Sequence, residues 1–450
     1  MPPLSTLSPL DGRYHEQLKE LQNYFSEMAL IRYRLVVEIE YLIDLSLEPG
    51  VKELPPFTSE IQSAIRSIYR NFLPEDAAAV KDLEKMTNHD VKAVEYFLRE
   101  KLKTKNLDKY NEFIHFALTS EDVNNLAYSM MWYDAVSEIY RPLITEVRRQ
   151  IAAFANEYKD QPLLSLTHGQ SATPTTVGKE FAVFAARLDR QIEQLKNHRL
   201  LGKFGGATGA WSAHQIAYPE VDWQEFSKKF ITKLHLEPNL LTTQIEPHDS
   251  LAESYQIIFR INTILLDFCR DVWLYVSRGV LGQKKKEGEV GSSTMPHKIN
   301  PIHFENAEGN LGLANAYFSH LAEKLPVSRL QRDLSDSTVL RNQGVPLAHS
   351  VLAGKNILQG MSRLTLNEQK LNEELDNHWE VLAEAVQTIL RKHNVSGAYE
   401  KLKELTRGQT ITKESLREFI KTLEIPEEDR EKLLNLTPHT YIGLANKLVK

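Results

Sequence analysis

HDSLAESYQIIFRINTILLDFCRDVWLYVSR, residues 248–278, contains neither proline nor glycine. An uninterrupted helix over that span is about 45 Å long at 1.5 Å per residue. Between Ile257 and Phe268 its apolar side chains surround the axis almost completely. Such a helix belongs inside a bundle or at a subunit interface. Ser250 and Glu253 have the spacing of an N-terminal capping box.

Other segments repeat the helical period. Leu18, Leu21, Phe25, Met28, Leu35, Ile39 and Leu42 predict one long helix ending near Pro49 and Gly50. A helix follows over 59–72. TNHDVKAVEYFLREKL opens another, with Thr87 and Asp90 as its capping box and His89 left in the first turn. Thr119 and Asp122 form a further box. Asn124 and Asn125, inside that helix, either join a buried polar network or face solvent. Thr167, His168, Gly169 and Gln170 read as a polar loop running into a helix whose core face is Phe181, Phe184, Leu188, Ile192 and Leu195.

GKFGGATGAW, residues 202–211, matches neither GxxxxGK[ST] nor GxGxxG after a strand, so it reads as a turn of close backbone approach. Helices are expected over 303–323 and 345–364. Shorter ones lie in ITKESLREFIKTL and TPHTYIGLANKLV, the latter with Thr437 as cap and Pro438 in the first helical position. Period-two alternation is scarce. The expectation is an all-α protein of three helical domains: 1–110, 111–366 with the long-helix bundle, and 367–450.

Apolar residues make up 42% of the 450, and charged residues 25%, enough for a sizeable core. Lys and Arg total 54 against 60 acids, a formal charge of -6. That balance gives no basis for broad nucleic-acid binding, although local cationic pockets remain open to small anions. Cys269 is the single cysteine, so no intrachain disulfide is expected. MPPLSTLSPLDGRY lacks the pattern of a secretory signal, and the two observations together predict the cytosol. No apolar run reaches eighteen residues, so no membrane span is expected. HExxH, CxxC, EF-hand and GxSxG patterns are absent, so neither a metal nor a cofactor is predicted.

The chemistry concentrates in GSSTMPHKINP, residues 291–301. Ser292, Ser293, His297, Lys298 and Asn300 sit between glycine hinges and two prolines, a composition suited to a loop that closes over a ligand. Arg13 and Tyr14 lie just ahead of the first helix; Arg13 is either a surface charge or an anion contact. Arg329, Arg332 and Arg341 stand near Ser335, Ser337 and Thr338, either as a charged helix start or as a phosphate or carboxylate site. Histidines and serines on loops, with arginines and amides, suit acid–base chemistry on an anionic substrate.

GSSTMPHKINP resembles the signature loop of the fumarase/aspartase superfamily, whose members eliminate fumarate from substituted succinates. DGRY, TNHDVKAVEYF, TSEDVNN, THGQSATPTTVGKE, TTQIEPHD and LPVSRLQRDLSDSTVLRN narrow the resemblance to the bacterial adenylosuccinate lyases. ELDNHWEVLAEAVQTILRK and YEKLKELTRG extend it over nearly the whole chain; Ser171 stands where proline is expected.

The resemblance implies cleavage of adenylosuccinate to AMP and fumarate, and of the succinylated ribotide SAICAR to AICAR and fumarate. It implies Ser292 as general base, with Ser293 its rival, and His168 as general acid, with His89 orienting groups beside the acid. Arg13, Tyr14, Arg332, Ser337 and Arg341 correspond to phosphate and base contacts, and Ser293 and Thr338 to further substrate-binding positions. Thr119, Ser120, Gln244, Lys298 and Asn300 correspond to contacts around the succinyl carboxylates. Asn88, Asp90 and Asn306 complete the substrate-binding set. The family is homotetrameric, its long helices form a tetrameric core, and each site draws on three subunits. Another fumarate-releasing lyase, such as argininosuccinate lyase or fumarase, fits less well with TNHD, TSEDVNN and His297 after Met295-Pro296. A helical protein that kept the fold and lost activity is at odds with the intact Ser292, His168, His89 and Lys298.

Overall fold

The long apolar helix is present. In the computed structural model it runs Asp249–Ser277, about 43 Å at 1.5 Å per residue. The structure describes residues 5–284, 299–397, 400 and 411–450. In chain order the elements that matter here are α1 (Glu27–Leu47), α2 (Pro74–Thr87), α3 (Asp90–Thr104) and α4 (Ser120–Ala135). They are followed by strands β1 (Pro162–Thr167) and β2 (Gln170–Thr176), then α5 (Val177–Asn197), α6 (Asp249–Ser277), α7 (Ile302–Lys324), α8 (Ser335–Leu340) and α9 (Gly344–Met361). Helices dominate, as the periodicity predicts, and the strands form three two-stranded pairs among the described residues.

The chain parts into two compact units. The first comprises Met1–Ile144, Gln191–Thr263 and Gly309–Gly354. Its core runs along α1, where Leu35, Ile39, Tyr41 and Leu42 are fully buried. Tyr41, Phe204 and Phe230 pack ring to ring at 5.3–5.9 Å. A polar knot fixes the register of its helices. Asn262, fully buried, donates to Ser350 at 2.9 Å and to Asn315 at 3.1 Å. Buried amides are costly unless satisfied, so these partners favour one packing over slipped alternatives.

The second unit comprises Thr145–Arg190, Ile264–Glu308 and Lys355–Lys450. Phe154, Phe181, Phe268 and Phe304 form its aromatic spine, with successive centroids 4.4, 5.6 and 6.2 Å apart. A further apolar cluster gathers Leu164, Leu375, Leu382, Leu390, Leu416 and Ile420.

Several local expectations change. The Leu18–Leu42 stripe is broken at Ser26, whose extended backbone and hydroxyl cap α1 at Ala29 N–H. Residues 15–25 instead form short helical turns that still bury Leu18 and Leu21. Thr87 is the last residue of α2, not a cap; His89 caps α3, its Nδ1 accepting Lys92 N–H at 3.1 Å. Ser250 is not a cap either, because its hydroxyl accepts Leu201 N–H at 3.0 Å. Thr437 and Thr440 close a turn on each other, and helix is confined to Ala445–Leu448. The loop expected at 167–170 is the tip of an antiparallel hairpin, β1 with β2. His168 and Gly169 both hold positive φ, 55° and 72°, as a two-residue primed turn requires. The box at Thr119 and Asp122 is present, with Thr119 N–H donating to Asp122 Oδ2 at 2.9 Å.

His214 is fully buried between the rings of Phe204 and Trp223, at 5.3 and 4.8 Å. Neither ring nitrogen has a hydrogen-bond partner. Burial pushes its pKa from the usual 6.5 down to about 4, against the opposing charge of Asp122. The unfolded chain therefore binds a proton that the folded chain refuses. Stability should fall by roughly 3 kcal/mol as pH drops from about 6.5 to 4. Urea midpoints compared across that range should show a shallower acid loss in His214→Phe; identical slopes for the two proteins would contradict this account.

Candidate functional site

The N-terminal turn of α4 is the point on which separated stretches converge. Asp122, in that turn, is buried and forms an ion pair with buried Lys203 at 2.7 Å. The same carboxylate accepts Gly205 N–H at 2.9 Å and Gly206 N–H at 3.0 Å. Asn125 accepts Lys203 N–H at 2.8 Å and returns a bond to Lys203 O at 2.9 Å. The polar network, rather than the solvent face, is thus the outcome for Asn125. The glycine turn at 205–209 is held against the helix, which is the close approach expected of it. Gly209 has φ +74°, and a Cβ there would lie 2.5 Å from Thr242 O. Gln244 donates to Ala207 O at 2.9 Å, so Gln244, Thr119 and Ser120 all border this turn.

On one side stands Arg332. Its Nη1 meets Asp336 at 2.7 Å and its Nη2 meets Glu121 at 3.3 Å. His248 Nε2 lies 3.5 Å from Asp336. Burial works to raise the pKa of Asp336, but His248 and Arg332 together hold it below the usual carboxylate range. For Glu121 burial wins, raising it to about 7 despite Arg332. Glu121, His248 and Asp336 bring their polar atoms within 4.8 Å of one another, and the guanidinium of Arg332 supplies the positive charge among them. Ser337 N–H donates to Asp336 at 2.6 Å, while Thr338 is exposed.

Arg341 stands on the other side. It reaches Asp90 at 2.9 Å and Glu27 at 3.0 Å. Arg34, only 1% exposed, also holds Asp90, at 2.6 Å, and donates to Asn124 at 2.9 Å. Burial opposes ionisation of Asp90, yet Arg34, Val91 N–H and Arg341 keep it below its usual range. Asn88, in left-handed conformation at φ 52°, and exposed His89 lie beside it. Because His89 Nδ1 accepts a backbone N–H, the proton of the neutral ring sits on Nε2, pointing away from the helix. A cavity of about 590 Å³, lined by Asp11, His15, Leu18, Phe25, Arg341 and Val345, brings the segment of Arg13 and Tyr14 up to Arg341. Arg13 itself is exposed, 5.8 Å from the Tyr14 ring.

The first unit therefore brings together Asn88, His89, Asp90, Thr119, Ser120, Gln244, Arg332, Ser337 and Arg341. Arginines beside a helix N-terminus make an environment for phosphate or carboxylate. In the second unit, His168 occupies the hairpin tip, exposed, with no side-chain hydrogen bond among the described residues. Asn300 and Asn306, at the start of α7, are half-buried there. Ser292, Ser293, His297 and Lys298 lie outside the described residues.

Arg34, Glu121, Asp122, Lys203 and His248 also build this region, beyond the residues expected from sequence. A signal exists for Arg34: a charge flanked by the apolar run ALIRYRLVVEIEYLI. Lys203 and Asp122 are eighty-one positions apart, and spacing gives no hint of their pairing.

Lys203→Met should cost about 3 kcal/mol, since it leaves a buried carboxylate with only backbone donors. The double variant with Asp122→Asn should recover part of that loss. A thermal or urea midpoint unmoved by Lys203→Met would show that the pair does not hold the turn.

A family profile described as "Lyase" matches residues 12–314, and one described as "Adenylosuccinate lyase C-terminal" matches residues 328–442. The adenylosuccinate lyase of Haemophilus influenzae is 50% identical over 448 residues, covering 99% of this chain and 98% of that one. That of Dictyostelium discoideum is 49% identical over 453 residues, covering 98% and 97%. Among solved structures, a fumarate lyase from a Mesorhizobium species superposes with TM-score 0.75 at 19% identity, covering 96% of both chains. A 3-carboxy-cis,cis-muconate lactonizing enzyme from Pseudomonas putida gives 0.74 at 20% identity, covering 96% and 95%. At such identities the structural likeness shows the shared fold alone.

Proposed function

This chain belongs to the adenylosuccinate lyase family, and we propose that it eliminates fumarate from adenylosuccinate, leaving AMP, and from SAICAR, leaving AICAR. The observation that carries the reading is identity at half of all positions with a named adenylosuccinate lyase over 99% of the chain. The convergence of Arg332, Arg341 and the α4 N-terminus supports it, because both substrates carry a phosphate and two succinyl carboxylates.

In this reading Ser292 removes the proton from the carbon beside a succinyl carboxylate. The electron pair of that C–H bond becomes the double bond of fumarate, the C–N bond breaks, and His168 protonates the departing nitrogen. A serine acts as a base only in a closed, water-poor loop with a cation at hand, a role for Lys298. Ser293 is the alternative base. The carbanion is held as an aci-carboxylate by Lys298, Asn300, Thr119, Ser120 and Gln244. Arg13, Tyr14, Arg332, Ser337 and Arg341 take the phosphate and base, with Thr338 a further substrate-binding position. Asn88, Asp90 and Asn306 complete the pocket, and His89 offers Nε2–H to the region of the acid. No step calls on a metal or cofactor.

We further propose a homotetramer with sites shared between subunits, working in the cytosol. An acid exposed on a hairpin tip gains the dry surroundings that elimination needs only when another surface covers it. Trp273, Leu274 and Leu313, on the long helices, are 42%, 53% and 53% exposed, apolar area that a helical core would cover. No helix among the described residues is long and apolar enough to cross a membrane.

Incubation with adenylosuccinate should release fumarate and AMP, while argininosuccinate and malate should not react. Ser292→Ala and His168→Ala should each lower turnover by at least about a thousandfold while leaving assembly intact. Mixing those two inactive variants should restore some activity after subunit exchange. Fumarate from a control substrate instead would keep the chemistry and overturn the substrate. Strong activity in Ser292→Ala would shift the base to Ser293.

A further inference from the structure

Glu121 sits in the first turn of α4 beside Ser120 and is 3% exposed. Its Oε2 lies 3.3 Å from Arg332 Nη2, and its Oε1 is buried without a hydrogen-bond partner. Asp336 takes the other terminal nitrogen, Nη1, at 2.7 Å. Two carboxylates thus confront one guanidinium. With both ionised, negative charge is in excess at the place where an anionic ligand has to meet Arg332.

The charged groups facing Glu121 come from four elements. On α4 itself Asp122 is matched by Lys203, from the glycine turn, at 2.7 Å. From the segment before α6 comes His248, 3.5 Å from Asp336, with Glu246 two residues ahead of it. The oxygens of Glu246 are occupied by His248 N–H at 2.7 Å and Asn239 Nδ2 at 3.0 Å. From α8 and the residues before it come Asp336 and Arg332. Asp336 is the poorer proton acceptor of the two carboxylates at the guanidinium, held acidic by His248 and Arg332 against the effect of burial. Glu121 is the better one, raised to about 7 chiefly by burial.

We propose that Glu121 is a proton-linked positioning residue, which orients Arg332 while the site is vacant and takes up one proton when an anionic ligand engages that guanidinium. This rests on the reading of Arg332 as a substrate contact. Arginine has five N–H donors, so those not facing Asp336 and Glu121 remain for a ligand. An incoming phosphate or carboxylate adds negative charge a few ångströms from Glu121 in a desolvated setting, and this favours the protonated acid. Linkage is reciprocal: the proton on Glu121 strengthens the anion's hold by the same factor. The proton comes from solvent and returns to it on release, so the overall elimination stays balanced.

AMP is the probe. Its dissociation constant is measured by calorimetry between pH 6.5 and 9 for the intact protein and for Glu121→Gln, which imitates the protonated acid at every pH. The ligand's own titration cancels in the ratio of the two constants. That ratio, wild type over variant, should rise about tenfold between pH 7 and 8.5, since each pH unit above the pKa of an acid that must be protonated weakens binding by up to tenfold. Wild-type calorimetry near pH 8 in buffers of different ionisation heat should report uptake of close to one proton per AMP bound. Arg332→Ala should weaken AMP at least tenfold.

A flat ratio without proton uptake overturns the inference, and so does AMP binding unchanged in Arg332→Ala. Should Glu121→Gln fail to assemble, the wild-type uptake measurement decides alone. Fumarate release from adenylosuccinate alongside a flat ratio sinks only this inference. Failure to release fumarate sinks the lyase reading.

Discussion

The buried pair of Asp122 and Lys203 is the constraint on which the candidate site depends. Neither side chain reaches water, and their separation is 2.7 Å. A buried charge is tolerable only when neutralised and hydrogen-bonded. Here the carboxylate is shared among an ammonium and the N–H groups of Gly205 and Gly206. The lysine spends a further donor on Gly206 O at 2.7 Å. Moving the glycine turn away from α4 would strand both charges, so the turn and the helix terminus behave as one piece. Thr119, Ser120 and Glu121 inherit their positions from that piece, and Gln244 is tied to it through Ala207 O.

Arginine placement follows the same logic on either side. Arg34 is buried in α1 and bridges Asp90 on α3 to Asn124 on α4. Arg341 completes the pair on Asp90, and Arg332 is held by Asp336 and Glu121. Arg332 and Arg341 are thus each anchored by carboxylates before a ligand meets them. Such an anchor lowers the entropy lost when a long side chain is immobilised by a ligand. It also costs attraction, because the anchoring carboxylate repels the same anion. That tension is sharpest at Glu121, where the anchor can be neutralised by a proton.

Much of this was legible in the sequence, and the reasons for the exceptions are physical. The absence of proline and glycine from 248–278 fixed α6 to within a residue at each end. The box at Thr119 is present because Thr119 is the extended residue at the helix start, from which its N–H reaches Asp122. The box at Thr87 is not, since left-handed Asn88 ends α2 and hands the cap to His89. Ser250 failed for a different reason: a distant backbone N–H, that of Leu201, claimed its hydroxyl. The polar tip at 167–170 reads as a loop, and the strands on either side of it are hard to see in sequence because each carries a proline and neither alternates cleanly. Of the site, the arginines and loop histidines could be found by residue type and by family resemblance. Their anchors could not, for a buried acid such as Glu121 looks in sequence like any first-turn helix acid placed to complement the macrodipole.

Non-glycine residues at positive φ are uncommon, and the conformation persists only where surrounding contacts over-determine it. Asn88, His168 and His248 all adopt it, at 52°, 55° and 65°. For His248 the compensation is visible: its N–H is held by Glu246 at 2.7 Å, and its ring lies 3.5 Å from Asp336. For Asn88 it is the N–H bond to Glu84 O at 2.8 Å, which closes α2 and turns the chain toward His89 and Asp90. His168 has only the hairpin ladder on either side of it, Thr167 paired with Gln170. A strained histidine presented on an exposed tip, with no side-chain bond to restrain it among the described residues, is aimed outward by the backbone alone. In the proposed elimination, that presentation suits an imidazole that delivers its proton to a substrate held by a facing subunit.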